Sequence, residues 1–193
     1  MHYTNASQSG SVAILMVLRP KDSRNERYVI LTEQARPGAH NAASTKIPTG
    51  NLDHRTGDIV GRAVQEIVDK TRLKIRREDT IDMTVMALEH PQHKMHLPPA
   101  TYIRPTTSDE PVSFLLWEKD LDRKEIEDLK AKFSGERAGG GQTIVRVYHY
   151  EAFWREVSRD ATNLAAWELY ESLNRLGMIG KRLHEIRTEQ AQK

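Results

Sequence analysis

The stretch of residues 46–73, KIPTGNLDHRTGDIVGRAVQEIVDKTRL, carries the groups best suited to chemistry. In its second half the apolar residues fall three and four positions apart, which is typical of a helix with one face against a core. Such a helix places Glu66, Asp69 and Lys70 on one neighbouring face. Asp58 offers an acceptor side chain where the helix could begin. A loop followed by a helix with clustered acids is one way to hold a divalent cation against phosphate.

This stretch resembles the Nudix box, whose pattern is G-x5-E-x7-R-E-U-x-E-E-x-G-U with U apolar. With one extra residue in the spacing, as in some ADP-sugar diphosphatases, Gly50 is the leading glycine and Asp58 the first acid. Glu66 and Ile67 match the pattern, and Asp69 replaces a glutamate conservatively. The resemblance implies a Nudix fold of the α/β (α+β) class, with a mixed β-sheet sandwiched between helices.

Two positions depart from the box in a way that bears on metal binding. Lys70 occupies the last glutamate, a principal magnesium ligand in the family, and Arg72 occupies the glycine that ends the helix. Magnesium prefers hard oxygen ligands, whereas an ammonium group offers only donors and a repelling charge. Lys70 lies one turn from Glu66 and can pair with it. Two interpretations stay open, namely a fixed cation in the metal's place and an ordinary amphipathic helix with a surface pair.

The resemblance also implies roles for residues outside the box. The segment EQARPG, residues 33–38, is similar to the E-Q-x-R-x-G of ADP-ribose and ADP-sugar diphosphatases, so Gln34 and Arg36 are expected to bind substrate. The planar fork of an arginine can grip a phosphate through two bonds. The alternative for Arg36 is a surface arginine before a proline turn. Glu110, just before an apolar strand, occupies a place where the family often has an acid facing the substrate.

A second carboxylate of the family's metal site is missing from the sequence. Related diphosphatases carry a glutamate in the loop before the last strand, but this chain has Gly141 there and no acid between Glu136 and the strand. The neighbouring Gln142 is a candidate substrate ligand. We therefore expect no resident metal, and magnesium only if hydrolase activity is retained, with Glu66, Asp69 and Asp58 as its ligands.

Three histidines, His90, His93 and His96, follow one another at spacings of three. Neutral imidazoles can bind zinc, and one can act as a general base near neutral pH. Prolines at positions 91, 98 and 99 instead predict an irregular loop, where this spacing does not align the rings. A solvent-exposed loop is favoured over a metal site.

Composition limits the partners of the chain. A net charge of +2 with 29% charged residues gives no field that points to nucleic acid or membrane. The longest apolar run, residues 12–18, is far short of the roughly 20 that cross a bilayer and lacks signal-peptide features. The absence of cysteine is compatible with a cytoplasmic location. We expect a small-molecule ligand, with phosphate-bearing molecules among the candidates, and a homodimer by family analogy.

The rest of the chain divides into a flexible start (1–10), a single Nudix domain (11–180) and a charged tail (181–193) that pairs subunits or is solvated. Alternation and apolar runs predict strands at residues 12–18, 27–32, 81–88, 112–117 and 143–148. Periodicity predicts helices over residues 121–133, 149–154 and 160–176, and loops over residues 39–45 and 134–142.

Three functions are compatible with these features, and the resemblance is closest to plant-type ADP-sugar diphosphatases. The first is a repurposed pocket in which Glu66, Asp69 and Lys70 perform metal-independent acid/base chemistry, such as isomerisation or hydration, on a small molecule. The second is residual magnesium-dependent hydrolysis of ADP-ribose or ADP-sugars. The third is a non-catalytic ligand-binding pseudoenzyme.

Overall fold

The computed structural model of the chain describes residues 10–35, 43–53, 55–88, 101–102, 111–135 and 143–191. The strands in these residues are β1 (Ser11–Pro20), β2 (Tyr28–Ala35), β3 (Ala43–Lys46), β4 (Thr49–Leu52), β5 (Ile59–Val60), β6 (Thr80–Asp82), β7 (Thr101–Tyr102), β8 (Pro111–Leu121) and β9 (Thr143–His149). The helices are α1 (Arg62–Thr71), α2 (Met83–Leu88), α3 (Arg123–Ser134), α4 (Tyr150–Val157), α5 (Ala161–Arg175) and α6 (Met178–Ala191). A short 3-10 helix spans Arg77–Asp79.

The strands form one mixed sheet around β1, which is the most apolar segment of the chain. β1 pairs in parallel with β8 from Ser11↔Val112 to Pro20↔Leu121. Its other edge is shared, because β4 pairs antiparallel with the first part of β1 and β2 with the last part. The first two predicted strands, at residues 12–18 and 27–32, are confirmed and form an antiparallel pair with the register Met16↔Ile30.

β1 and β2 pair only over Met16–Leu18 and Tyr28–Ile30 and then diverge, which leaves a gap between the two strands. Beyond Ile30, β2 leaves β1 and pairs with β3 on the same edge, while β9 follows it along the opposite edge. The chain crosses the gap at Ile47 and Pro48, where the Ile14 N–H donates to the Pro48 carbonyl at 2.9 Å. The buried Asn163 side chain of α5 fixes this crossing, because it accepts from the Ile47 N–H at 2.9 Å and donates to the Thr45 carbonyl at 3.0 Å.

Helices cover both faces of the sheet, as the predicted fold class requires. One core contains Val64 and Ile67 of α1 together with Ile126 and Phe133 of α3. The other lies under α2, α4, α5 and α6. Burial of these apolar side chains is the main stabilising term of the fold, at about 25 cal/mol per Å² removed from water. The expected mixed sheet between helices is therefore present.

The expectation that the box helix begins beside Asp58 is wrong. Ile59 and Val60 form the short strand β5 against β4, and α1 begins at Arg62 after Gly61, which supplies no side-chain cap. A strand alternates its side chains between faces, so Ile59 is buried while Val60 is 47% exposed. Close approach of the backbones explains the leading glycine of the box, because a Cβ on Gly50 would lie 2.6 Å from the Val60 carbonyl oxygen.

The strand predicted over residues 81–88 is also wrong beyond its first two residues. The segment turns into α2 after Asp82, whose carboxylate accepts from the Val85 N–H at 3.0 Å and caps the first turn. Met, Ala and Leu are good helix formers, and alternation over a short apolar run does not separate strand from helix. The prediction of a loop at residues 39–45 is wrong for its last three residues, because β3 begins at Ala43 and pairs with β2.

The end of the chain is helical. α6 begins before residue 181 and packs two apolar side chains, Ile179 and Ile186, into the core. Arg187 reaches Asp120 of β8 at 2.9 Å. In the part of the chain that the structure describes, no helix is both long and apolar enough to cross a bilayer.

Candidate functional site

The side chains of the box helix α1 differ in how far they are exposed to solvent. Val64 and Ile67 are buried in the core, and Thr71 is anchored through its hydroxyl, which donates to the Ile67 carbonyl at 2.6 Å. Glu66 and Lys70 are half-buried, whereas Asp69 is exposed. Because residues four apart share a helix face, Glu66 and Lys70 lie beside the core edge and Asp69 points further into solvent.

Both box carboxylates have side-chain partners on the same helix. The Arg62 Nε donates to the Glu66 carboxylate at 3.4 Å, and the Gln65 amide donates to the Asp69 carboxylate at 2.8 Å. The pairing of Glu66 with Lys70 stays a prediction. These bonds occupy acceptor oxygens of the two groups that the sequence offers as metal ligands.

A largely buried ion pair near the box helix, between Glu33 and Arg146, was not predicted from the sequence. The Arg146 Nε on β9 donates to the Glu33 carboxylate on β2 at 2.9 Å, and each side chain is about one-fifth exposed. Arg146 also donates to the backbone carbonyl of Phe133 at the end of α3. The sequence signal was a charge inside each of two otherwise apolar strands, but pairing across 113 residues requires the register of the sheet.

Four elements converge around this pair. Lys132, the residue before Phe133, donates to the Lys70 carbonyl at 2.5 Å, so the ends of α1 and α3 are joined. Gln34 is exposed near the end of β2, opposite Thr143 of β9. The structure therefore groups Glu33, Gln34, Arg146 and the end of α1 where β2 has separated from β1. This arrangement is our candidate site.

Several predicted site residues lie outside the described residues. These are Arg36, Glu110, Gly141, Gln142, His90, His93 and His96.

The family implies a magnesium ion at the box, and the donor set can be tested against it. Within residues 10–35, 43–53, 55–88, 101–102, 111–135 and 143–191 there is no group of three or more acidic or histidine side chains that could hold a metal. Asp58 is exposed in the turn before β5, where its N–H donates to the Thr56 hydroxyl at 3.2 Å. With lysine at position 70, the described box residues do not fit an octahedral set of oxygen ligands.

A second polar cluster lies at the far ends of β1 and β8. The Arg19 Nε donates to the Glu118 carboxylate at 2.7 Å, and Arg187 lies 3.7 Å from the same carboxylate oxygen. The other oxygen of Glu118, Oε2, is buried and has no hydrogen-bond partner among the described residues. Burial raises the pKa of Glu118, and the charge of Arg19 opposes that rise. The buried Tyr170 hydroxyl accepts from Arg19 at 3.2 Å and from Arg27 at 3.5 Å.

The carboxylate of Glu26 provides a contrast at the surface. Hydrogen bonds from Arg123 lower the pKa of Glu26 to about 2, and the bond from the Tyr28 hydroxyl contributes to the same shift. Burial and that bond raise the pKa of Tyr28 to about 12. This group ties the β1–β2 turn to α3 rather than forming part of the candidate site.

The geometry defines the class of protein: a mixed sheet between two helical layers, with a box helix packed beside the point where two central strands diverge. Over 173 residues, or 88% of its length, the chain is 32% identical to Nudix hydrolase 14, chloroplastic, from Arabidopsis thaliana. The chain is a divergent member of the Nudix hydrolase superfamily. It spans about half, 51%, of the length of that relative. No family model matches the chain.

Solved structures give weaker likenesses. The Nudix hydrolase RenU from M. smegmatis aligns with a TM-score of 0.40 at 12% identity, covering 88% of each chain. The C-terminal domain of mouse MUTYH, solved in complex with human PCNA, aligns with a TM-score of 0.40 at 11% identity, covering 86% of this chain and 88% of that one. At TM-scores below 0.5 these likenesses carry no argument about function.

Proposed function

We propose that this chain is a Nudix-fold enzyme that acts on a small molecule, with phosphate-bearing molecules as candidates, by acid/base chemistry without a magnesium ion at the box. The observation that carries the proposal is the box helix itself. Lysine stands at the principal ligand position, and both remaining carboxylates accept hydrogen bonds from neighbouring side chains. A degenerate box of this kind removes oxygen donors and adds a fixed positive charge in the same place.

The proposed chemistry assigns a role to each group on α1. Lys70 donates to an oxyanion that develops on the substrate, which is the charge-stabilising role that a metal has in the ancestral reaction. Glu66, half-buried and on the same face, accepts a proton from the substrate and returns it at another atom, as an isomerase requires. Asp69 is exposed and accepts a hydrogen bond from the Gln65 side-chain amide. We therefore propose that it orients neighbouring side chains on α1.

Substrate binding is proposed for the end of β2 and its neighbours. Gln34, Arg36, Glu110 and Gln142 are the candidates from the sequence. The Glu33–Arg146 pair supports Gln34 from the adjacent position, because two strands and the end of α3 hold the pair in place. A guanidinium that is bonded to a carboxylate has its charge neutralised, but its remaining N–H groups are held in place as hydrogen-bond donors.

The identity to a protein named as a hydrolase favours a second candidate, residual hydrolysis of ADP-ribose or ADP-sugars. That activity would use magnesium with Glu66, Asp69 and Asp58 as ligands. A third proposal, a pseudoenzyme that only binds its ligand, shares the scaffold with the first. A homodimer and a cytoplasmic location also stay proposals, to be tested by sedimentation and by imaging of the tagged protein.

Turnover separates the first two candidates. Pure protein is incubated with ADP-ribose and with ADP-glucose, each with magnesium or manganese, and released AMP is measured. We expect none above the rate of the buffer alone. Release at ordinary enzyme rates, on the order of 1–1000 per second, would replace the first proposal with the second.

Magnesium binding tests the role of Lys70 directly. We expect no saturable heat when magnesium is titrated into the wild-type protein, and new binding in Lys70→Glu, which places a third carboxylate beside Glu66 and Asp69. The matched control is Lys124→Glu, the same charge change at an exposed position in the first turn of α3. Saturable binding to the wild type, or equal gains in the two variants, would contradict the proposal.

A screen for ligands separates enzyme from pseudoenzyme. Small organic phosphates are titrated while the thermal midpoint is followed, since a ligand that binds the native state raises it. Each ligand found is then incubated with protein and analysed by NMR for proton exchange or product. We expect exchange that is lost in Glu66→Gln while binding is kept. Binding without any exchange would favour the pseudoenzyme.

A further inference from the structure

A cavity lies at the end of α1, beside Arg72. It has a volume of about 520 Å³ and is bounded by the segment after α1, by β8 and by α6. The described residues that line it are Arg72, Leu73, Lys74, Arg76, Glu78, Asp79, Trp117, Lys119, Ile186 and Glu189. It adjoins the end of α1 through Arg72, but none of the side chains of Glu33, Gln34, Arg146, Glu66, Asp69 and Lys70 lines it. Its volume falls within the range of about 300–1,000 Å³ that is usual for small-molecule sites.

The lining of this cavity carries four cations and three acids, a small excess of positive charge. Of its four cations, Arg76 is paired with Glu78 at 3.2 Å. Among the described residues, the side chains of Arg72, Lys74 and Lys119 form no hydrogen bond or ion pair, and all three are exposed. The acids of the same lining are Glu78 and Glu189, which are exposed, and Asp79, which is half-buried. Cations that converge on a concavity without their own partners attract an anion.

The backbone at Arg72 is a second, independent observation. Arg72 ends α1 in the left-handed conformation with φ 63°, and its N–H donates to the Val68 carbonyl at 2.8 Å. It is the one residue other than glycine with positive φ in the described part of the chain. This cap position favours glycine, because a Cβ is disfavoured there. A long cationic side chain held in an unfavourable conformation suggests a role for the side chain.

The floor of the cavity is apolar. Trp117 of β8 and Ile186 of α6 are both almost fully buried, and they belong to the two cores of the molecule. A cationic rim over an apolar floor matches a ligand with an anionic group and an apolar body. The guanidinium of Arg72 can bond two oxygens of one phosphate, and the ammonium groups act as point charges.

We propose that this cavity is a second ligand site, which binds a small organic phosphate by placing the phosphate among Arg72, Lys74 and Lys119 and the organic part against the floor. The site is independent of the acid/base function proposed above.

The experiment is a calorimetric titration of phenyl phosphate and of inorganic phosphate into the full chain at low ionic strength. We expect saturable binding of one phenyl phosphate, with inorganic phosphate weaker. Arg72→Gly and Lys119→Gln should each weaken phenyl phosphate by about tenfold, because each removes a charge-assisted hydrogen bond. The control is Lys181→Gln, an exposed cation of α6 that does not line the cavity.

The thermal midpoint of Arg72→Gly distinguishes a ligand role from a structural one. Glycine relieves the positive φ, so we expect an unchanged or higher midpoint together with weaker binding. Equal weakening by Lys181→Gln would show a general charge effect and overturn the proposal. Absence of saturable binding to the wild type, or binding untouched by both cavity variants, would overturn it as well. Inorganic phosphate binding as tightly as phenyl phosphate would remove the role of the apolar floor.

Discussion

Two carboxylate–guanidinium pairs in this molecule lie in very different surroundings. Arg19 and Glu118 meet at 2.7 Å at the ends of β1 and β8, with 22% and 2% of their side chains exposed. Arg62 and Glu66 meet at 3.4 Å on α1, with 69% and 24% exposed. The first pair lies beside Tyr170 and Arg187 on two strands whose apolar side chains are mostly buried, whereas the second lies on the box helix.

The difference shows how one fold can keep its stability while its site changes. A buried charge is costly to leave unpaired, so the Arg19–Glu118 group is tied to folding. An exposed pair four residues apart on a helix contributes only a few tenths of a kcal/mol, so the box face can exchange charges at little cost. A lysine at position 70 is tolerable on such a face.

The largest effect is expected from Arg19→Ala. Among the described residues it leaves the buried Glu118 paired with Arg187 alone, at 3.7 Å, so the free energy of unfolding should fall by about 3 kcal/mol. Urea unfolding followed by circular dichroism measures the loss. The control is the double variant Arg19→Met/Glu118→Leu, which removes both charges and should be more stable than Arg19→Ala. A loss below about 1 kcal/mol in Arg19→Ala would mean that the pair is no more important than a surface pair.

The pH dependence of stability should show the burial of Glu118. Its pKa in the folded protein is raised, chiefly by burial, above the ordinary value of 4.5. The folded state therefore binds this proton more tightly than the unfolded state. Its contribution is fully present below about pH 4.5 and is lost as pH rises through the folded pKa.

Urea midpoints of wild type and Glu118→Gln between pH 4 and 8, in about 0.5 unit steps, test this sign. The difference between the two proteins isolates Glu118 from Arg19, Arg187, Asp120 and Tyr170, which face it in both. We expect the wild type to lose stability relative to the variant as pH rises. Parallel curves would contradict a raised pKa.

A smaller loss is expected from Tyr170→Phe, which removes a buried hydroxyl. That hydroxyl accepts from Arg19 and Arg27, both of which can still reach water, so we expect a loss of about 1 kcal/mol. The matched control is Tyr148→Phe, where a half-buried tyrosine makes no hydrogen bond through its hydroxyl to any described residue. Equal losses in the two variants would assign the effect to general packing rather than to the polar cluster.

Local patterns were sufficient where burial and periodicity agreed. The apolar run at residues 12–18 predicted β1, and the spacing around residues 160–176 predicted α5, which Asp160 caps by accepting from the Thr162 and Asn163 N–H groups. The spacing in the box predicted a helix with Glu66, Asp69 and Lys70 on one face, and in α1 Glu66 and Lys70 are half-buried whereas Asp69 is exposed.

Local sequence patterns failed where pairing between distant segments determines the structure. Asp58 carries a helix-start signal, but pairing of β5 with β4 and the close approach at Gly50 hold that segment extended. The Glu33–Arg146 and Arg19–Glu118 pairs join residues about one hundred positions apart, so only the sheet brings them together. A charge within an apolar strand is the one local signal that could have marked all four.

The smallest effect is expected at the box, from Arg62→Ala. An exposed ion pair four residues apart on a helix contributes about 0.3–0.5 kcal/mol to stability. Arg62 is largely exposed, so solvent screens the attraction between the two charges. The urea midpoint should therefore barely move. Arg182→Ala, which removes the exposed Arg182–Glu185 pair at 2.9 Å on α6, is the control and should lose a similar amount.

The same variant changes the surroundings of Glu66. Without Arg62, the Glu66 carboxylate loses the hydrogen bond from the Arg62 Nε. A stability loss above about 1 kcal/mol would make the box face part of the folding core. The contrast between the two pairs would then fail, because a face that the fold depends on is not one where a metal ligand can become a lysine at little cost.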